Sequence, residues 1–389
     1  MPEGDQRLTV KAVSKIAAVA AEDWDSCLAS AHPFLCHAFL SALEESGCVA
    51  AKTGWQPQHL IVEDSRGRVV GAAPAYLKGH SYGEYVFDWG WAEAYERAGG
   101  RYYPKLQVAV PFTPVAGPRL LVRPGAPGET AEALIHGLVS LARRLDASSI
   151  HITFPIEPEW RRLGEAGWLL RMDQQFHWVN RGYASFEDFL ASLASRKRKQ
   201  IRKERRAVAD SGIRLSTLTG AELSPTHWDS FHRFYMTTAR TKWGNPYLNR
   251  AFFHRIGECL ADRIVLIMAE AEGRFVAGAL NLMGDGVLYG RNWGCLADYK
   301  FLHFEACYYQ AIEFAIAHGL GRVEAGAQGP HKIQRGYLPM PTYSAHWIAD
   351  AGLRAAVEDY LKRERAHVAR EMEELSELAP YRRATEDEY

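Results

Sequence analysis

The sequence predicts an α/β protein made of two similar halves, each a mixed β-sheet flanked by helices. Three observations carry this. The chain has 389 residues, more than one typical domain holds. A weak internal repeat relates residues 59–77 to 264–283: each is an apolar run, a polar turn ending in Gly-Arg, and a second run rich in small residues, which is the grammar of a hairpin. Each copy is followed by a helical pattern and a further apolar strand, the order of a right-handed crossover.

In the first half the helix covers about 129–145, with Leu134, Leu138 and Leu141 at helical spacing, and the strand covers 149–153. In the second half the helix covers about 301–318 and the strand 322–325. Phe87-Asp-Trp-Gly-Trp91 and Arg291-Asn-Trp-Gly-Cys295 stand at similar places in the two copies, with Tyr95 and Tyr299 at matching offsets. Four landmarks in the same order favour duplication. Residues 99–127 read as an insertion, a loop rich in proline and aromatic residues that is either functional or a cover packed on the sheet. The expected domains are 1–183 and 184–389. Ser185 caps a helix that opens the second, and a long amphipathic helix over 352–378 closes it.

Hydrophobic residues make up 47% and charged residues 24%, the balance of a globular chain with real cores. Formal net charge is zero, so any attraction to nucleic acid or an anionic surface has to come from a local patch. Cys27, Cys36, Cys48, Cys259, Cys295 and Cys307 form no CxxC pair and no metal-knuckle spacing. Reduced thiols, a cytoplasmic setting and no metal are expected. No leader and no membrane-spanning run is read in the sequence.

Several long, unusual strings carry a family resemblance. They are 32–40, Thr53-Gly-Trp-Gln-Pro57, Ser81-Tyr-Gly-Glu-Tyr-Val-Phe-Asp-Trp-Gly-Trp91, Arg291-Asn-Trp-Gly-Cys295, His303-Phe-Glu-Ala-Cys-Tyr-Tyr-Gln310 and Glu324-Ala-Gly-Ala-Gln-Gly-Pro-His-Lys-Ile-Gln-Arg-Gly-Tyr337. On these the chain resembles, over about 32–363, the FemAB-like (peptidoglycan biosynthesis/recognition) family of the GNAT superfamily. The resemblance implies a tandem GNAT fold and a transferase that moves an acyl or aminoacyl group, with aminoacyl-tRNA as donor, onto the amine of a small molecule or peptide. No bound cofactor is then needed, since aminoacyl-tRNA or acyl-CoA enters as cosubstrate. Oligomeric state stays open.

The usual GNAT pyrophosphate loop is absent between Trp293 and Glu305. Two rivals therefore stand beside the main reading: an acyl-CoA N-acyltransferase with a non-standard pyrophosphate site, and a non-catalytic protein that binds cell-wall or peptide precursors.

Glu305 falls among Phe301, Tyr308, Ile312 and Ile316 on one helical face. It is either a general base for an acceptor amine or a first-turn carboxylate favoured by the helix dipole. Glu324 stands near the carboxyl end of a strand, where α/β sheets bind ligands, and is either catalytic or ion-paired with Arg322. Gln328, His331, Lys332, Arg335 and Tyr337 follow in a glycine-rich loop suited to an anionic substrate group, while Trp293, Tyr299 and Tyr308 are candidates for lining the groove. Arg196, Lys197, Arg198, Lys199, Arg202 and Lys203 crowd one helix. They serve either tRNA phosphates or simple solvation of a basic face.

Overall fold

The helix Thr130–Arg144 buries Leu134, Ile135, Leu138 and Leu141, residues three and four apart that make one apolar stripe. It packs on Leu106, Val108, Ile150 and Ile152. Those residues belong to two parallel strands that the helix joins, Lys105–Val108 and Ser149–Thr153, with Leu106 opposite Ile150. The second half repeats this crossover. Strand Val287–Cys295 runs parallel to Arg322–Glu324, with Val287 opposite Arg322 and Tyr289 opposite Glu324, and the intervening helical segment ends in Gln310–Ala317. The structure is a computed structural model and describes residues 7–242, 246–327 and 329–382.

The chain divides into two compact units. The first holds Met1–Asp173 and Thr342–Val368, the second Gln174–Pro341 and Ala369–Tyr389. Two sheets build the first unit. One has the order Thr9–Val13, His59–Glu63, Val69–Ala73, Leu121–Val122; the other includes Trp55–Pro57, Ala75–Lys78, Lys105–Val108 and Ser149–Thr153. Residues 344–348 pair antiparallel with 149–153. In the second unit the order is Arg214–Thr219, Ile264–Ala271, Arg274–Gly284, Val287–Cys295, Arg322–Glu324, followed by residues 177–179 antiparallel to the last strand. Its core gathers Val265, Leu288, Tyr308, Ile312, Ala315, Val323 and Trp178.

Three expectations are corrected here. Residues 99–127 are not an inserted loop: Lys105–Val108 is an inner strand between Ala75–Lys78 and Ser149–Thr153. Lys-Leu-Gln-Val reads as half-solvated because two of its side chains are polar, yet Lys105 and Gln107 are fully buried. Gln107 donates to Thr153 Oγ1 at 2.9 Å, and Lys105 is ion-paired. Nor are the two Trp-Gly landmarks equivalent. Gly90 lies in the helix Trp89–Arg97 with open space around it, whereas Gly294 lies in a strand where a Cβ would fall 2.4 Å from the carbonyl carbon of Phe234. Finally, the units part at Asp173/Gln174 rather than at 183/184, and Thr342–Val368 goes to the first. Leu353, Val357 and Leu361 of the C-terminal helix Ala351–Glu377 pack there with Trp91, Tyr102 and Leu169.

Candidate functional site

In the second unit the parallel pairing of Val287–Cys295 with Arg322–Glu324 ends at Tyr289 and Glu324. A Cβ at Gly290 would meet the Glu324 carbonyl oxygen at 3.1 Å, so the backbones are close at that point. Beyond it Gly290–Cys295 stays with its other neighbour, while Ala325 and Gly326 stay hydrogen-bonded to Phe176 on the opposite side. Alternation sends Val323 into the core and Glu324 to the opposite face.

Glu324 is buried, and burial pushes its carboxyl up to about 7 against the opposing pull of Arg322. Oε1 accepts a hydrogen bond from Arg322 Nε at 2.9 Å. Oε2 has no hydrogen-bond partner among the described residues, and neither does Nε2 of His177, 3.8 Å away. Burial, with Arg322 and Lys332 nearby, holds the His177 imidazole down to about 3, so it is neutral at pH 7. A buried carboxylate oxygen and a buried imidazole nitrogen are thus both left with open acceptor or donor capacity, an arrangement suited to proton transfer.

Glu305 is buried, but its cation is Arg205 rather than Lys332 or Arg335. Arg205 Nε reaches Oε1 at 3.1 Å and Oε2 at 3.2 Å, and Gln310 Nε2 donates to Oε1 at 2.8 Å. Both carboxylate oxygens are occupied, and Glu305 opens a single π turn, Glu305–Tyr309. The ion pair fixes that turn, a device frequent beside functional sites.

Lys332 and Arg335 also point inward. Lys332 Nζ donates to the carbonyls of Ala325 at 2.6 Å and Gly326 at 3.0 Å, and burial lowers it to about 8. Arg335 pairs with buried Glu204 at 2.9 Å, donates to Tyr309 Oη at 2.9 Å and to the His331 carbonyl at 2.8 Å, and its guanidinium lies 3.5 Å from the Phe304 ring centre. Their charges are spent within the protein, so they shape the loop. Sequence reasoning found the residues and missed their partners, because Glu204 and Arg205 are hidden in the basic run 196–206.

Other candidates do come together. Tyr308 Oη lies 3.1 Å from His331 Nε2, and the His303 ring is 5.4 Å from both Trp293 and Tyr308. Trp293, Tyr299 and His303 line a cavity of about 360 Å³ with Thr237, Thr238 and Thr241. Tyr337 is buried, its hydroxyl 3.5 Å from the Tyr308 carbonyl oxygen. Gln328 lies outside the described residues. On the basic helix Ser195–Ala209, Arg196, Lys199, Arg202 and Lys203 are exposed while Lys197 and Arg198 are half-buried; Arg202 pairs with Glu187. His177 and His303 were not singled out from the sequence. For His177 the available signal was a lone polar residue between buried Phe176 and Trp178.

Among the described residues no helix is long and apolar enough to cross a membrane. The structure is similar to that of FemX, at 12% identity and a TM-score of 0.56 over 87% of this chain and 98% of that one. It is similar to the C-terminal domain of a putative lysylphosphatidylglycerol synthetase from Agrobacterium fabrum, at 10% identity and a TM-score of 0.53 over 87% and 95%. A conserved protein of unknown function from Bacteroides thetaiotaomicron matches at 10% identity and a TM-score of 0.52 over 88% and 100%. No curated protein sequence matches. The fold is a tandem GNAT fold. The model of the FemAB-like family, described as peptidoglycan biosynthesis/recognition, matches residues 15–383, and the chain belongs to that family.

Proposed function

We propose that the protein transfers an acyl or aminoacyl group onto a substrate amine, with the parallel strands of the second unit holding the reacting groups where their pairing ends. The observation that carries this reading is Glu324, a buried carboxylate with one unpartnered oxygen at the point of divergence. Its carboxyl, pushed up to about 7, is poised to exchange a proton near neutral pH. The amine nitrogen attacks the acyl carbonyl, the C–N bond forms, and Glu324 takes the ammonium proton. The ester C–O bond then breaks, and the leaving hydroxyl receives the proton. Trp293, Tyr299, Tyr308 and His331 line the substrate's path. Lys332 and Arg335 act through the loop they hold, whose backbone amides face the anionic part of the substrate. Arg196, Lys199 and Lys203 meet the phosphates of aminoacyl-tRNA. Membership of a peptidoglycan biosynthesis/recognition family supports a cell-wall precursor or related peptide as acceptor.

The test supplies labelled aminoacyl-tRNA or labelled acetyl-CoA together with an amine-bearing peptidoglycan precursor. Label should move from the charged tRNA, and Glu324→Gln should slow the transfer by about a hundredfold or more. Transfer from acetyl-CoA alone overturns the donor. A Glu324→Gln protein as fast as wild type overturns the base.

A further inference from the structure

The segment 79–91 of the first unit takes no part in the transfer reading, yet it is built in an unusual way. Phe87 is 65% exposed, Tyr82 56%, Tyr85 40% and Trp89 39%. Clustered apolar exposure on a folded protein marks a recognition surface. The rings are pre-arranged: Tyr82 meets Trp89 edge to face at 4.8 Å and His80 at 5.1 Å. Tyr85 itself sits at φ 62°, a left-handed conformation costly for a residue with a Cβ.

Beneath the rings lies a buried charge network. Lys105 Nζ donates to Ser81 Oγ and Glu84 Oε2, both at 2.7 Å, and to Asp88; Tyr102 Oη donates to Asp88 Oδ2 at 2.7 Å. Lys78 lies 3.6 Å from the Trp55 ring centre and donates to the Tyr82 carbonyl at 3.0 Å. Arg171 donates to the Phe87 carbonyl at 2.7 Å. Buried ion pairs add little stability over apolar packing. What these contacts do here is fix the backbone from which the aromatic side chains project.

Charge selects the occupant. Between Gly79 and Glu96 the sequence holds no Lys or Arg. Glu84 and Asp88 are buried against Lys105, while Glu93 stands exposed. The cations that reach the segment are engaged, Arg171 by the Phe87 carbonyl and Glu364 and Lys78 by the Tyr82 carbonyl, so they give little hold on nucleotide phosphates or anionic lipid. Tyr82 and Trp89, packed together and each carrying a polar edge, and the exposed ring of Phe87 match a ligand of apolar C–H faces edged by hydroxyls. Tyr and Trp offer such contact at small entropic cost when already ordered. We propose that segment 79–91 is a saccharide platform, on which Tyr82, Phe87 and Trp89 stack the pyranose faces of a neutral amino-sugar chain.

The full-length protein is titrated with tetra-N-acetylchitotetraose, followed by calorimetry and tryptophan fluorescence. Phosphatidylglycerol vesicles, uridine monophosphate and an apolar peptide are run in parallel. Saturable saccharide binding is expected, weakened about tenfold or more by Trp89→Ala and by Phe87→Ala with melting temperature unchanged. Trp89→Phe should restore most of it. Because Phe87 is mostly solvent-exposed, its variant reports even if Trp89→Ala disturbs folding. The proposal is overturned by absence of saturable saccharide binding to wild type, by wild-type affinity in the Phe87→Ala protein, or by vesicles, nucleotide or peptide occupying the platform instead.

Discussion

Glu324 Oε2 and His177 Nε2 face each other across 3.8 Å, both buried, on neighbouring antiparallel strands where the two residues are register partners. Their proton affinities are displaced in opposite senses by the same burial. The carboxyl is raised from 4.5 to about 7, the imidazole lowered from 6.5 to about 3.

The two shifts give opposite pH dependences of stability. A carboxyl whose folded pKa is raised contributes stability that is full below the unfolded value and lost as pH rises through 4.5 to about 7. For the imidazole, with its folded pKa lowered, the contribution is full above 6.5 and lost as pH falls towards about 3. Glu324→Gln should therefore gain stability relative to wild type as pH rises from 4.5 to 7, by up to about 3 kcal/mol. His177→Gln should gain relative to wild type as pH falls below 6.5. Denaturant midpoints at several pH values read both; parallel curves for wild type and variant would count against the pair.

Removing Arg205 should be worse than removing Glu305. Arg205→Met strands a buried carboxylate with only Gln310 to satisfy it, at a cost of about 3 kcal/mol or more. Glu305→Gln keeps the shape and should cost about half as much. Chemical denaturation of the two single variants and the double gives the coupling directly, and additive costs would show that the pair does not interact.

On the basic helix only exposed cations that lack a carboxylate partner should report on nucleic acid. Replacing Arg196, Lys199 and Lys203 by Ala should weaken tRNA binding and reduce the slope of log K against log salt by about 3. Arg202→Ala should matter less, because Arg202 already pairs with Glu187. Fluorescence anisotropy across a salt series checks both, and an unchanged slope in the triple variant would leave the helix as a solvated face.

Lys105→Met should destabilise the first unit by about 3–5 kcal/mol, since it leaves Glu84 and Asp88 buried without their shared cation. Thermal unfolding reads this. If the melting temperature held, the network would be dispensable to the fold.

The α/β plan, the hairpins and both crossover helices were legible because Leu134, Leu138 and Leu141, or Ile312 and Ala315, repeat at helical spacing and carry no conflicting signal. Strand Lys105–Val108 was not legible, because local composition reports polarity and cannot report that Lys105 is neutralised by residues roughly twenty positions earlier. Glu305, Glu324, Lys332 and Arg335 were each singled out from the sequence, and each is buried. Which carboxylate met which cation depended on pairing across long sequence separations, such as Glu204 with Arg335 and Arg205 with Glu305. His177 escaped for the same reason, since its register opposite Glu324 exists only once the sheet forms.

Because the partner of strand 149–153 lies at 344–348, a ribosome making this chain extrudes nearly all of the second unit before that pairing can form. Until then residues 149–153 present an unpaired edge of backbone donors and acceptors. Completion of the first unit therefore waits until residue 348 has been made, and a nascent chain stalled near residue 300 should be a chaperone client. Expression of 1–183 alone would hold the molecule permanently at that stage.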